Sequence, residues 1–76
     1  MYELEIETKN TLKKIKNPRK ARIIDRIFFD SLQIMDDNGK WHTVCRCTVG
    51  VSTARMIIDD IDLAIKKHQS SVYVDI

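Results

Sequence analysis

The stretch LQIMDDNGKWHTV, residues 32–44, places a tight-turn signal between two segments of high strand propensity. Asn38-Gly39 is the strongest short signal for a hairpin turn, because both residue types adopt the positive φ angles that such a turn requires. The flanking segments contain β-branched, aromatic and other apolar side chains that are common in strands. This stretch therefore predicts an antiparallel β-hairpin with its turn at residues 37–40.

The segment that leads into this hairpin, residues 23–35, fits two secondary structures, because its apolar residues satisfy both the helical and the strand period. Asn17 and Pro18 would suit the N-cap and the first position of a helix that ends near Leu32. The hairpin signal favours instead a long, bulged strand from Ile23 to Asp36. We take the strand as the prediction and keep the helix as its alternative.

A strand over residues 23–36 would be apolar on both faces, and its second face would need a cover. That cover is either the preceding segment, through Leu12 and Ile15, or a second subunit. A domain of this size buries only about 60% of its unfolded surface, and dimerisation is a common remedy. We therefore expect a homodimer, with these candidate interface residues: Ile23, Ile27, Phe28 and Phe29.

The remaining elements follow from periodicity. Residues 2–8 alternate as a half-buried strand, residues 41–51 form a Thr- and Val-rich strand, and residues 72–76 form a last strand. Strict alternation puts Trp41 and Thr43 on one face of the second of these strands, and His42, Val44 and Arg46 on the other. Between the strands at residues 41–51 and 72–76 lies an amphipathic helix, capped by Ser52 or Thr53. Its apolar residues recur at helical spacing: Ala54, Ile57, Ile58, Ile61, Ala64 and Ile65.

One apolar helix face needs a sheet to cover. The predicted fold class is therefore α+β, with a small, mostly antiparallel sheet of about four strands and one helix packed on one face. The predicted order is β-(basic arm)-β-β-α-β, in a single domain over residues 1–76.

The basic arm, residues 9–22, is the most asymmetric part of the chain. Asn17-Pro18 interrupts it, so we expect a short helical turn followed by an irregular segment. Residues 1–22 hold seven cations and three glutamates, a net charge of +4, whereas residues 23–76 hold six cations and eight acids, a net charge of −2. The arm contains all seven cations of the first part: Lys9, Lys13, Lys14, Lys16, Arg19, Lys20 and Arg22.

A dense cationic arm is typical of proteins that bind a nucleic-acid backbone. The arm has no aromatic residue, so base stacking would have to come from Phe28, Phe29, Trp41 or Tyr73. The plain alternative is a solvated segment whose lysines neutralise the glutamates of residues 3–7. We predict a small binding module that contacts nucleic acid or an acidic partner through residues 9–22.

A protein–protein interaction module is an equally supported alternative. It would be a regulator, inhibitor or adaptor of a size common among phage proteins, and it would act through its sheet and the apolar residues 23–35.

Catalytic and metal-binding motifs are not evident. The chain has no nucleophile elbow, P-loop or dinucleotide fingerprint. Cys45 and Cys47, even with His42 and His68, lack the usual zinc-ligand spacing, and we expect them to be small core residues. We expect no enzymatic activity, no metal and no cofactor. The chain also lacks a membrane-spanning run and signal-peptide features, which indicates a cytoplasmic protein.

Overall fold

The computed structural model describes residues 1–76 as six strands and one helix: β1 (Glu3–Glu7), β2 (Leu12–Lys16), β3 (Pro18–Asp25), β4 (Asp30–Asp36), β5 (Trp41–Cys47), α1 (Val51–Lys66) and β6 (Ser71–Tyr73). The N-terminal sheet has the strand order β2-β1-β6, and the hairpin sheet has the order β3-β4-β5. All neighbouring strands are antiparallel except β1 and β6, which are parallel.

The α+β class is confirmed, with six strands in two sheets where about four in one sheet were predicted. The difference comes mainly from the basic arm, which is β2 and most of β3. The prediction of a helical turn and an irregular segment there is wrong. Ile15 of β2 lies opposite Leu4 of β1 and is buried, so backbone pairing with β1 accompanies burial of the one inward apolar side chain of β2.

Asn17 redirects the chain from the N-terminal sheet to the hairpin sheet. It has a φ of 49°, in the left-handed region that asparagine tolerates better than most residues. Its amide donates to the carbonyl of Tyr2 at 2.7 Å, and its side-chain oxygen accepts from the amide of Tyr2 at 3.3 Å. Asn17 therefore fixes a corner between two strands and caps no helix.

The residues before the Asn-Gly turn form neither the long strand nor the helix predicted for them. β3 ends at Asp25, a turn over residues 26–29 is closed by the amide of Arg26 donating to the carbonyl of Phe29 at 3.0 Å, and β4 follows. We call residues 26–29 the tip. Ile27 and Phe28 are 92% and 90% exposed there. The apolar residues of this region thus divide between the core, the outer side of the sheet and the tip.

The Asn-Gly hairpin is confirmed. Gly39 has a φ of 82°, and the amide of Asp36 donates to the carbonyl of Lys40 at 2.9 Å. β5 is shorter than the predicted strand, and its register slips between the pairs Leu32–Cys45 and Gln33–Thr43. This slip is a β-bulge at residue 44.

The core lies between the two sheets and α1. The N-terminal sheet contributes its inward side chains, the hairpin sheet contributes those of its inner face, and α1 contributes one apolar stripe, as its periodicity predicted. The buried apolar residues are Leu4, Ile6, Ile15, Ala21, Leu32, Ile34, Val44, Ile57, Ile61, Ala64 and Val74.

α1 begins at Val51, two or three residues earlier than predicted, with Gly50 at the N-cap, and no side chain caps it. The predicted cap at Ser52 or Thr53 is therefore wrong, because both residues lie within the helix. Its C-terminus closes in a Schellman motif around His68, which has a φ of 52°. Asp62 accepts the amide of Ala21 at 2.9 Å, so the helix also covers the outer edge of β3.

Tyr2 joins the start of the chain to the C-terminus of α1. Its hydroxyl lies 2.6 Å from the carbonyl oxygen of Gln69 and 3.3 Å from that of Ala64, and its ring stacks on His68 with centroids 4.6 Å apart. Burial raises the pKa of Tyr2, so the phenol keeps its proton to donate. We expect Tyr2→Phe to lower the free energy of unfolding by about 1 kcal/mol in urea denaturation.

Tyr73→Phe is the matched control for that experiment. Tyr73 is 56% exposed, and its hydroxyl makes no hydrogen bond within the chain. Equal losses in the two variants would contradict the anchoring role of the Tyr2 hydroxyl.

Candidate nucleic-acid interface

The hairpin sheet has one face toward the core and one face that no other element covers. We call the second the open face. Side chains on it alternate with the core-facing ones along each strand, and the strand registers align them in rows. Ser31 and Gln33, on the central strand β4, are buried within this face. The open face consists of Lys20, Arg22, Ile24, Phe29, Ser31, Gln33, Met35, Trp41, Thr43 and Arg46.

Arg22 is held at the centre of the open face by its neighbours. Its Nε and Nη2 donate to Oε1 of Gln33 at 2.9 and 2.8 Å, and Nε2 of Gln33 donates to Oγ1 of Thr43 at 3.2 Å. The guanidinium carbon lies 3.8 Å from the centroid of the Trp41 ring, a cation–π contact. These contacts orient the guanidinium before any ligand arrives.

A second cation–aromatic pair lies at the other end of the face. The guanidinium carbon of Arg46 is 5.0 Å from the centroid of the Phe29 ring. Strict alternation along β5 had placed Arg46 on the face opposite Trp41. The bulge at Val44 adds one residue and brings Arg46 to the same side as Trp41.

The charges of the hairpin sheet are segregated between its two faces. The open face has three cations, at positions 20, 22 and 46, and no carboxylate. Asp25 and Asp30 alternate to the other side, where they line a cleft beside α1, and Asp36 contacts His42. The open face is therefore cationic even though the part of the chain after residue 22 is acidic.

The structure divides the seven cations of the basic arm into different environments. Lys14 and Lys16 lie directly opposite Glu5 and Glu3, although no lysine or arginine nitrogen in the protein lies within 4.0 Å of a carboxylate oxygen. Such cross-strand pairs reduce the local positive potential. Lys9 lies in the β1–β2 turn, Lys13 lies opposite Ile6, and Arg19 lies at the register shift of β3; all three are exposed. Only Lys20 and Arg22 belong to the open face.

The four aromatic candidates for base stacking are also separated. Trp41 and Phe29 share the open face, each beside an arginine. Phe28 lies at the tip, and Tyr73 lies on β6 in the other sheet. Two of the four are therefore placed where they could act together with cations.

Asp36 organises the Asn-Gly turn beside the open face. The Nε2–H of His42 donates to its Oδ2 at 2.7 Å, and its Oδ1 accepts the amides of Asn38 at 2.9 Å and Lys40 at 3.0 Å. The hydrogen bond from His42 is the main cause that lowers the pKa of Asp36, and the amide of Lys40 is the next.

This lowered pKa makes a prediction for acid stability. The carboxyl of Asp36 binds its proton less tightly in the folded state than in the unfolded state. The ionised carboxylate therefore stabilises the fold at a pH above the pKa of the unfolded state, and this contribution is lost as the pH falls through the lower pKa of the folded state. We expect Asp36→Asn to be less stable than the wild type near neutral pH, and the difference to shrink between about pH 5 and pH 2. Urea denaturation at several pH values measures it. A constant difference would contradict the linkage, and the exposed Asp37→Asn serves as control.

The two cysteines lie on the core side of β5 and are half-buried. Burial raises the pKa of both thiols, and Cys45 and Asp30 raise that of Cys47 further, which keeps them in the neutral form. No group of three or more His, Cys, Asp or Glu side chains is arranged to hold a metal ion.

α1, the single helix, is too short and too polar to cross a bilayer.

Sequence reasoning found Lys20, Arg22, Trp41 and Phe29 but did not bring them together, and it missed Arg46 and Gln33. The alternation along β5 correctly predicted that Trp41 and Thr43 share one face. Nothing in the sequence alone marks the β-bulge that brings Arg46 to the side of Trp41.

No protein-family model, curated protein or solved structure matches this chain.

Proposed function

We propose that this protein is a non-enzymatic module that binds single-stranded nucleic acid on the open face. The observation that carries the proposal is the combination on one uncovered sheet face of three cations, two aromatic rings and no carboxylate. Sheets with this composition suit single strands, because cations attract phosphates and aromatic rings stack on unpaired bases.

The cations supply the phosphate contacts. Arg22 uses two of its five N–H donors on Gln33, which leaves three for a ligand. Because Gln33 and Trp41 already orient the guanidinium, little side-chain entropy is lost when it binds a phosphate. Lys20 and Arg46 extend the positive surface on either side, and the β2 lysines add a weaker, partly compensated potential.

The aromatic rings supply the preference for a single strand. Trp41 and Arg46 lie five positions apart along β5, roughly 15 Å, so the face spans a short segment of an extended strand. A base can stack on the rings of Trp41 and Phe29 or on the guanidinium planes beside them. Bases within a duplex are already stacked and cannot make these contacts.

A direct test compares binding of a fluorescent mixed-sequence oligonucleotide as a single strand and as a duplex. We expect the single strand to bind more tightly, and the double variant Trp41→Leu with Phe29→Leu to weaken it by about 10-fold or more. Tyr73→Leu, an aromatic change on the other sheet, is the control. Tighter binding to the duplex, or an unaffected double variant, would contradict the proposal.

A second candidate function is a protein–protein interaction module, and the tip favours it. Ile27 and Phe28 are neighbours in sequence and almost fully exposed, and adjacent exposed apolar side chains are typical of a surface that binds another protein. A pull-down with and without nuclease distinguishes the two functions. A partner that survives nuclease and is lost with Phe28→Ser supports the protein module, whereas nuclease-sensitive retention supports the open face.

A further inference from the structure

We infer that two copies of this chain associate by exchanging tips, each tip entering a cleft beside α1 of the other copy. The cleft has a volume of about 490 Å³ and opens where the β3–β4 hairpin meets the start of α1. Its apolar lining is Ile23, Val49, Val51, Ala54 and Ile58, and its charged lining is Asp25, Asp30, Asp59 and Arg55.

The tip and the cleft are complementary in chemistry. The tip offers two exposed apolar side chains, Ile27 and Phe28, next to the cation Arg26. The cleft is lined by five apolar side chains together with three carboxylates and one arginine, a net charge of −2. Asp30 is fixed in this position, because its Oδ2 accepts the amide of Val49 at 3.1 Å. Association therefore buries apolar surface and brings the cation Arg26 to an acidic cleft.

The occupant is a second copy because both halves of the contact lie side by side on one chain. The tip begins directly after Asp25, which lines the cleft, but no residue of the tip lines that cleft, so a chain does not fill its own cleft with its own tip. A single twofold rotation places each tip in the cleft of the other copy at the same time and closes the assembly as a dimer.

The area of this contact suggests a reversible dimer. Burial of one aromatic side chain removes about 150–250 Å² of surface from solvent. In the dimer, Ile27 and Phe28 of both copies, together with the cleft surfaces they contact, bury roughly 1,000 Å² in total. This value lies at the low end of specific interfaces. We expect a dimer that dissociates on dilution.

Light scattering over a concentration series tests the inference. The wild type is expected to rise from the monomer mass of 8.9 kDa toward twice that value. The tip variant Phe28→Ser and the cleft variant Val51→Arg are each expected to raise the dissociation constant by about 10-fold or more. Val51 is 86% exposed and Phe28 is at a turn, so circular dichroism should stay unchanged. Met56→Ser, an exposed apolar change outside the cleft, should dimerise normally.

Mixing the two variants separates tip exchange from other dimers. The cleft variant has an intact tip and the tip variant has an intact cleft, so their mixture retains one complete contact and associates more tightly than either variant alone. A wild type that stays monomeric at every concentration would overturn the inference. A dimer that Phe28→Ser and Val51→Arg leave intact, or a mixture no tighter than the variants, would overturn tip exchange as well.

Discussion

Ile6→Ala is expected to lower the free energy of unfolding by about 2–5 kcal/mol. Ile6 is fully buried in β1, the central strand of the N-terminal sheet, which pairs with both β2 and β6. Its side chain belongs to the core that joins the two sheets and α1. Truncation removes buried apolar surface and leaves a cavity that neighbouring strands cannot close without breaking their register.

Chemical denaturation measures this loss, and the chain provides an internal control with the same change. Ile27→Ala removes the same atoms at the tip, where the side chain is 92% exposed, and should change the stability of the monomer by less than about 0.5 kcal/mol. Because a domain of 76 residues has little stability in reserve, Ile6→Ala should be partly unfolded near 37 °C. Similar effects at the two positions would contradict the assignment of the core.

The triple variant Lys20→Ala, Arg22→Ala and Arg46→Ala is expected to weaken single-strand binding on the order of 100-fold at low salt, about 2.7 kcal/mol. Each lost phosphate contact also removes about 0.7 from the slope of log K against log salt for a single strand. The slope should therefore fall by roughly 2. Titration of a labelled oligonucleotide at several salt concentrations measures both quantities.

A triple variant on α1 removes the same charge from another surface. Arg55 and Lys66 lie on α1 and Lys67 is its C-cap, so all three lie outside the open face. The substitutions Arg55→Ala, Lys66→Ala and Lys67→Ala change the net charge by the same amount. If binding depends on the open face, this control loses little affinity. Equal losses in the two triple variants would mean that net charge alone drives binding, and an acidic protein would then become the better partner.

The sequence predicted the parts of the fold that local patterns determine. The dipeptide Asn38-Gly39 favours a hairpin turn through its own backbone preferences, and α1 has a single apolar stripe that it can bury against a sheet. The α+β class followed from these two features. The alternation of Leu4 and Ile6 likewise predicted a strand with a buried face.

The parts that depend on distant partners were beyond local patterns. Arg26–Phe29 has no glycine or proline to mark a turn, so the sequence predicts one strand where the structure has two. Ile15 can act as a strand residue only because Leu4 lies opposite it. For the lysines of β2, the sequence offers both a binding role and neutralisation of the glutamates of residues 3–7, and the pairing of β1 with β2 brings Lys14 opposite Glu5 and Lys16 opposite Glu3.

The candidate site shows the same division. Lys20 and Arg22 were identified from composition, and Trp41 and Phe29 from their aromatic rings. Their meeting on one face requires the β3–β4–β5 register, and the position of Arg46 requires the bulge. Single-sequence reasoning therefore gave the residue types of the site without its geometry.

Trp41 fluorescence is the most direct probe of the open face, because Trp41 is the single tryptophan of the chain and lies in contact with Arg22. We predict that a single-stranded oligonucleotide quenches this fluorescence saturably at low salt, and that added salt reverses the change. The open-face triple variant should lose the quenching, whereas the α1 triple variant should keep it. An emission that does not change at low salt, or quenching that survives in the open-face variant, would contradict nucleic-acid binding at this face.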